Sequence, residues 1–516
     1  MIAEKIREWL GNMDAKVEPT NDLDHGDYTT NIAIITKQDA TGLKEKLERN
    51  KLPEIERIEV VNPGFLNFFL TKEYLARNLE EVLAKKDKFG WSEKLSGKKV
   101  MVEYTDPNPF KEFHIGHLMS NAIGESVSRL IEASGAEVKR ACYQGDVGLH
   151  VAKALWAKGD YALGAKSYEA DEQAKKEVYE INKKIYDKSD ESLNKVYEEG
   201  RRLSLEKFET MYAKLGTKFD YYFFESETGE FGKKIVQENM GKIFEESDGA
   251  VVFKAEKYDE KLHTRVFINS DGLPTYEAKE LGLAKTKFNQ FNYDESVVIT
   301  GNEIRQYFKV LLAAMSLVFP DLAVKTKHLS HGMLRLPSGK MSSRTGDVIT
   351  AEFLLDRVEE RVREKNPEAP LTEIAVAAIK YAILKQAPGR DIIFDLERSL
   401  SFEGDSGPYL QYTYARAKSV LEKSDKELGL DNFENNEVAR FLARYPDIVV
   451  RATDTFSPQI IVQYLLQLAS VFNSFYAQNK IIGSPEEASR LTLTAAVAQI
   501  IKNGLWLLGI KSPERM

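Results

Sequence analysis

From residue 99 onward the chain alternates short apolar runs with longer amphipathic ones, and that alternation restricts the fold more than any other feature. Val100-Met101-Val102-Glu103-Tyr104-Thr105 has the length and apolarity of a strand, and a helix is expected over about 115–134, with Leu118, Ile123, Val127, Leu130 and Ile131 on its inner face. Gly135 stands where a helix C-cap is usual. Further strands are expected near 139–143 and at 297–300. Strands that alternate with helices build a parallel α/β sheet, and such sheets hold ligands at the carboxyl ends of their strands. The first strand end leads, through Asp106-Pro107-Asn108-Pro109, to His114-Ile115-Gly116-His117.

The rest of the chain is organised around that core. With 516 residues, 43% of them hydrophobic, it is long enough for about three domains. Residues 1–75 read as a small α+β unit, closed by a strand at 58–61, the turn Pro63-Gly64 and an alternating Leu66, Phe68, Leu70 strand. A charged helix over 72–87 lies in a connector spanning 76–98. The α/β domain is expected over 99–350, with a highly charged helical insertion at about 165–215 that keeps no heptad. Helices at 352–365 and 372–386 belong to a segment over 351–395, and 396–516 reads as a helical bundle.

Composition narrows the partners less than the motifs do. The single cysteine, Cys142, excludes a disulfide framework and cysteine-rich zinc sites and suits a reducing compartment. The N-terminus lacks a signal-peptide pattern and no stretch reads as apolar for long enough to cross a bilayer, so a cytoplasmic protein without membrane attachment is expected. A net charge of −8 does not decide for or against a nucleic-acid partner, because binding depends on a local basic face.

Two segments carry chemistry. His114 and His117 stand three apart at a helix start, so both can address one anionic ligand near the positive helix end, with Gly116 leaving room between them. Far downstream, Lys340-Met341-Ser342-Ser343-Arg344 is flanked by Gly339 and Gly346, a loop composition able to close on a triphosphate and deliver Lys340 as the transition state forms.

These two segments resemble the paired signatures of class I aminoacyl-tRNA synthetases, and longer strings resemble the arginyl-tRNA synthetase family in particular. They include 62–68 (Asn-Pro-Gly-Phe-Leu-Asn-Phe), Gly145-Asp146-Val147-Gly148, 401–412 and 508–516. The resemblance spans nearly the whole chain. It implies a Rossmann-type catalytic domain between an N-terminal α+β domain that touches the tRNA elbow and a C-terminal all-α anticodon-binding domain. It implies ATP-dependent activation of L-arginine and transfer to tRNA(Arg), with Mg²⁺ on the phosphates, no protein-held metal, and a monomer.

Residue by residue, the resemblance implies that His114, Gly116, His117, Met333, Lys340, Met341, Ser342, Ser343 and Arg344 hold ATP, with His114, His117 and Lys340 catalytic. Arginine would be held by Glu103, Asn108, His114, His150, Glu225, Tyr276 and Glu280. Tyr276 and Glu280 lie one helical turn apart and so face one cavity; the family commonly has Asp where this chain has Glu280, and Gln where it has His150. Ser343 stands where the wider class has a second Lys, a departure that arginyl enzymes often share. On the tRNA side the candidates are Asn62, Phe65 and Asn67 for a D-loop base, and Tyr409, Tyr414 and Met516 in the bundle. The competing readings are another class I synthetase, a nucleotidyltransferase sharing H-x-G-H, and a catalytically silent RNA-binding relative. Nucleotidyltransferases are generally much shorter, and the intact His and Lys signatures argue against the silent form.

Overall fold

The computed structural model describes residues 1–20, 22–335 and 349–516. It forms two compact units: Leu95–Ser399, and Met1–Lys94 together with Leu400–Met516.

The first unit is built on a five-stranded parallel sheet. Its strands are β1 (Lys99–Glu103), β2 (Glu137–Gln144), β3 (Tyr221–Phe224), β4 (Glu295–Gly301) and β5 (Thr326–His331), in spatial order β5-β4-β1-β2-β3. β1 is central because it is apolar on both faces: Val100, Met101 and Val102 are all buried, as a doubly covered parallel strand requires. Its register sets Glu103 beside Ala141 of β2 and Val298 of β4. Strand order reverses between β1 and its two neighbours, and this is where an α/β sheet opens a ligand crevice.

The loop after β1 leads into helix α1 (Ile115–Ala133). Thr105, Asp106 and Phe110 there have φ of 82°, 46° and 69°, a left-handed conformation that L side chains resist and β-branched ones most. Tertiary hydrogen bonds hold it. Thr105 N–H donates to Ser120 Oγ (2.9 Å), whose hydroxyl donates to the Ile299 carbonyl (3.1 Å), and Asn121 Nδ2 donates to Thr105 Oγ1 (3.1 Å). Tyr143 N–H closes the loop by donating to Asp106 Oδ1 (2.7 Å). Below it a buried network fixes α1 on the sheet: the Tyr104 hydroxyl donates to Glu125 (2.6 Å), which also takes Arg129 (2.7 Å) and Arg140 (3.2 Å).

Helices α2 (Glu225–Glu238) and α3 (Tyr276–Gln290) carry later acids of the site. They cross at glycines. A Cβ on Gly232 would lie 1.8 Å from the Ala278 carbonyl oxygen, and one on Gly282 would lie 2.2 Å from that of Thr228. No other residue permits this approach, so the glycine pair fixes how far apart the two helices stand.

The helical insertion comprises Tyr161–Ala170, Glu172–Asp187 and Glu191–Leu215, each opened by an aspartate N-cap. Between α2 and α3 the structure adds an element that periodicity did not suggest. A three-stranded antiparallel sheet (Glu245–Ser247, Ala250–Phe253, Arg265–Ile268) packs around Phe244, Phe253 and Phe267. Its strands are too short to show alternation against their charged surroundings.

In the second unit the N-terminal part is a four-stranded antiparallel sheet of Val17–Pro19, Tyr28–Thr30, Ile55–Val61 and Phe65–Leu70. The C-terminal part is a bundle whose long helices are Gly407–Glu422, Gln459–Gln478 and Glu487–Leu507. The two parts share buried polar contacts. Asp27 accepts from Arg440 Nε (2.7 Å) and from Leu70 N–H (2.8 Å), while Asp447 accepts the Tyr28 hydroxyl (2.8 Å). Trp91 stacks on Trp506 at 5.6 Å. One expectation needs correction: Gln459–Gln478 does reach the length and apolarity of a membrane span. Its Ile461, Leu465, Leu468 and Phe472 are buried in the bundle, which is what makes a core helix of this length so apolar.

Candidate active site

At the start of α1 the two histidines form a reciprocal cap. Gly116 N–H donates to His114 Nδ1 (3.1 Å) and His114 N–H donates to His117 Nδ1 (3.2 Å), and the rings stack at 3.6 Å. Both Nδ1 atoms are therefore acceptors, so each ring carries its proton on Nε2 and is neutral. Electrostatics agrees. Burial, with Lys111 adding to it, pulls His114 down to about 4. Burial together with His114, Lys111 and His331 holds His117 well below the ordinary imidazole value. The helix cap thus fixes two neutral N–H donors at a positive helix end. Gly116 is needed here, since a Cβ would lie 2.9 Å from His114 Cε1.

Beside this end lies a cluster of carboxylates. Glu103, the last residue of β1, is 2% exposed and pairs with Lys287 at 2.6 Å. Glu225, the first residue of α2, pairs with Lys279 at 2.6 Å. Burial opposes both ammonium charges, but the facing carboxylates outweigh it and hold the two lysines above their ordinary value. Glu280 is half-buried and pushed up to about 8 by burial and by Glu103, with Glu225 and Glu277 adding to it. Asn108 joins the group: a Cβ on Gly145 would lie 2.3 Å from Asn108 Oδ1 and 3.1 Å from Glu225 Oε1.

His150 has one of its two ring nitrogens engaged by the backbone. It is buried, its Nε2–H donates to the Gly145 carbonyl (2.7 Å), and burial pulls it down to about 3. It braces the loop against which Asn108 and Glu225 rest. Tyr276 stands at the rim, 60% exposed, with the Lys279 ammonium 5.4 Å from its ring. Met333 is exposed, and its backbone joins Asp391 and Ile392. Lys340, Met341, Ser342, Ser343 and Arg344 lie outside the described residues.

The candidates in the second unit fare unevenly. Asn62 is exposed and Phe65 half-buried, but Asn67 is 4% exposed and its Oδ1 accepts the Thr29 hydroxyl (2.6 Å), so its side chain belongs to the sheet. Tyr414 is buried, the Tyr409 hydroxyl accepts from Asn473 Nδ2 (3.0 Å), and Met516 is half-buried.

Several residues escaped the sequence reading. Lys111 presses on both histidines electrostatically, and His331, at the end of β5, neighbours His117. Asp146 organises the start of α2 by accepting Ser226 N–H (2.9 Å) and its hydroxyl (2.7 Å) while paired with Arg201 (2.9 Å). Lys279 and Lys287 had one readable signal: with Tyr276, Glu280 and Leu283 they recur at helical spacing on a face that ought to be apolar.

A parallel sheet with a histidine-capped helix after its first strand suits both a class I aminoacyl-tRNA synthetase and an H-x-G-H nucleotidyltransferase, and the catalytic-domain family model for class I tRNA synthetases (R), which matches residues 78–396, makes it the former. Two further models match: the arginyl tRNA synthetase N-terminal domain at 1–70 and the DALR anticodon binding domain at 410–516. The chain belongs to the arginyl-tRNA synthetase family, and it joins arginine to tRNA using ATP.

It is similar to the arginine–tRNA ligase of Clostridium perfringens (30% identity, covering 100% of this chain and 99% of that one). It is also similar to that of Borreliella burgdorferi (31%, covering 93% and 89%). Among solved structures, the Thermus thermophilus arginyl-tRNA synthetase is similar throughout (TM-score 0.78, 25% identity, 100% of both chains). The Plasmodium falciparum enzyme shares the fold (TM-score 0.79, 20% identity, covering 100% and 99%).

Proposed function

We propose that His114 and His117 bind the ATP phosphates through their Nε2–H groups while Glu103, Asp106, Glu225 and Glu280 form the arginine pocket beside them. The observation that carries this is the reciprocal cap, which leaves both rings neutral with an N–H donor each at the helix start. The arginine carboxylate attacks the α-phosphorus, the bond to pyrophosphate breaks, and arginyl-adenylate forms. A ribose hydroxyl of the terminal tRNA nucleotide then attacks the acyl carbon, and AMP departs. No side chain forms a covalent bond; the protein positions the reactants and stabilises charge.

Neutral histidines supply donors but no charge, so compensation of the triphosphate falls to cations. This suits a Mg²⁺ ion that arrives on the nucleotide, with Lys340 as the protein's own cation. The assignment of Asn62 and Phe65 to a tRNA base, of the bundle to the anticodon, of a cytoplasmic monomer and of no membrane attachment rests on the family. Pyrophosphate exchange tests the whole reading. Arginine alone among the amino acids should support exchange, measured with and without tRNA; exchange with another amino acid, or none even with tRNA, refutes it.

A further inference from the structure

The loop between β1 and His114 is not held by the sheet alone. One face of the insertion helix Glu191–Leu215 lies along it, presenting Tyr197, Gly200, Ser204, Phe208 and Tyr212 at helical spacing. The Phe110 ring stacks on Tyr197 at 5.9 Å between centroids. The Phe110 N–H donates to Ser204 Oγ (3.0 Å), whose own hydroxyl donates to the Gly200 carbonyl (2.9 Å). Three residues on, the Phe113 ring meets Phe208 at 6.1 Å and Tyr212 at 6.0 Å, and it tilts against the His117 ring at 5.3 Å. One helix face therefore follows the loop from its middle to the catalytic histidines.

Two features set this contact apart from ordinary packing. Phe110 has φ of 69°, a left-handed conformation that an aromatic residue keeps only where its surroundings impose it. Gly200 stands in the middle of a 25-residue helix, where glycine weakens the element, yet a Cβ there would lie 2.4 Å from Phe110 Cε1 and 3.1 Å from its Cζ. The ring is also packed against the cluster of Val147, Val151 and Val178, so a methyl at position 200 would displace the loop. The helix is anchored in its turn: Asp146 accepts Arg201 Nε (2.9 Å) and the Tyr197 hydroxyl (3.2 Å).

We propose that the insertion helix is the template of the histidine loop, with Gly200 and Ser204 as positioning residues. Ser204 fixes the Phe110 backbone, Gly200 sets how deeply the Phe110 ring seats, and together they place His114, four residues later, for adenylation. This rests on the reading that His114 addresses ATP.

Pyrophosphate exchange with the whole protein at saturating tRNA tests it, with tRNA affinity measured separately by filter binding. Gly200→Ala should lower the exchange kcat about 10- to 100-fold, as expected for a misplaced reacting group, while the KM values for ATP and arginine move less than about 3-fold. Alanine favours a helix more than glycine does, so melting of the helix does not account for such a fall. In a Phe110→Gly background, which removes the ring and relieves the positive φ, Gly200→Ala should change kcat less than about 3-fold. Ser204→Ala should lower kcat about 10-fold, and Ser204→Thr, which keeps the acceptor, should restore it to within about 3-fold. The inference is overturned if Gly200→Ala and Ser204→Ala both retain kcat, or if the Gly200→Ala loss persists undiminished beside Phe110→Gly. A loss confined to tRNA affinity also overturns it, and makes the helix a tRNA-contact surface instead. Absence of arginine-dependent exchange in the unaltered protein refutes the ATP reading itself, and the inference with it.

Discussion

Arginine affinity should rise steeply with pH between 6 and 8, because Glu280 must lose a proton to hold a guanidinium. Burial and the neighbouring Glu103 push its carboxyl up to about 8, so in the free protein it is mostly protonated at neutral pH. The sign follows directly: a cationic ligand selects the ionised form, so binding strengthens as pH climbs toward that value and is lost below it. Two pH units below the midpoint only about 1% of the carboxylate is ionised, so affinity at pH 6 should be about 100-fold weaker than the limiting value, about 2.7 kcal/mol.

At pH 7 binding should release about 0.9 of a proton for the same reason. Calorimetry in two buffers of different ionisation enthalpy measures both quantities, and the window stays below the ionisation of the substrate's own amine. Glu280→Gln should make the profile shallower, leaving the part due to Asp106, whose carboxyl burial and Glu103 also hold well above its ordinary value. A wild-type affinity that is level from pH 6 to 8, or a slope that Glu280→Gln leaves unchanged, refutes the reasoning.

Three further predictions follow from the same geometry. Lys287→Met strands Glu103 as a buried charge without its 2.6 Å partner and should lower urea-unfolding stability by about 3–5 kcal/mol; a loss below about 1 kcal/mol would show the pair to be dispensable. His114→Asn retains a favoured N-cap acceptor but removes the Nε2–H donor. Stability should move by less than about 1 kcal/mol, while the adenylation rate in pyrophosphate exchange falls about 100- to 1000-fold. Gly232→Ala drives a methyl against the Ala278 carbonyl and should separate α2 from α3, costing about 1–3 kcal/mol in a thermal melt and weakening arginine binding more than ATP binding.

The legible parts of this protein were those with a short-range cause. Helix 115–134 was readable from its periodic apolar face and is observed as Ile115–Ala133, and the strand at β1 was readable from an unbroken apolar run. The antiparallel strands between α2 and α3 were not, because three- and four-residue strands are held by cross-strand partners and by Phe244, Phe253 and Phe267, not by their own pattern. Asn67 was legible only in part. The alternation of Leu66, Phe68 and Leu70 placed it in a strand, but its side-chain partner, Thr29, lies 38 residues away.

The sequence by itself determined the class of chemistry and the position of each motif, because a capped helix after an apolar strand and two histidines three apart are properties of contiguous residues. Tertiary structure decided what each charged group is free to do. Glu103 and Lys287 are 184 residues apart and Glu225 and Lys279 are 54 apart, and no local pattern records that these acids are already paired while Asp106 and Glu280 have no ion-pair partner among the described residues. An ion pair is set by distance in space, and folding creates that distance.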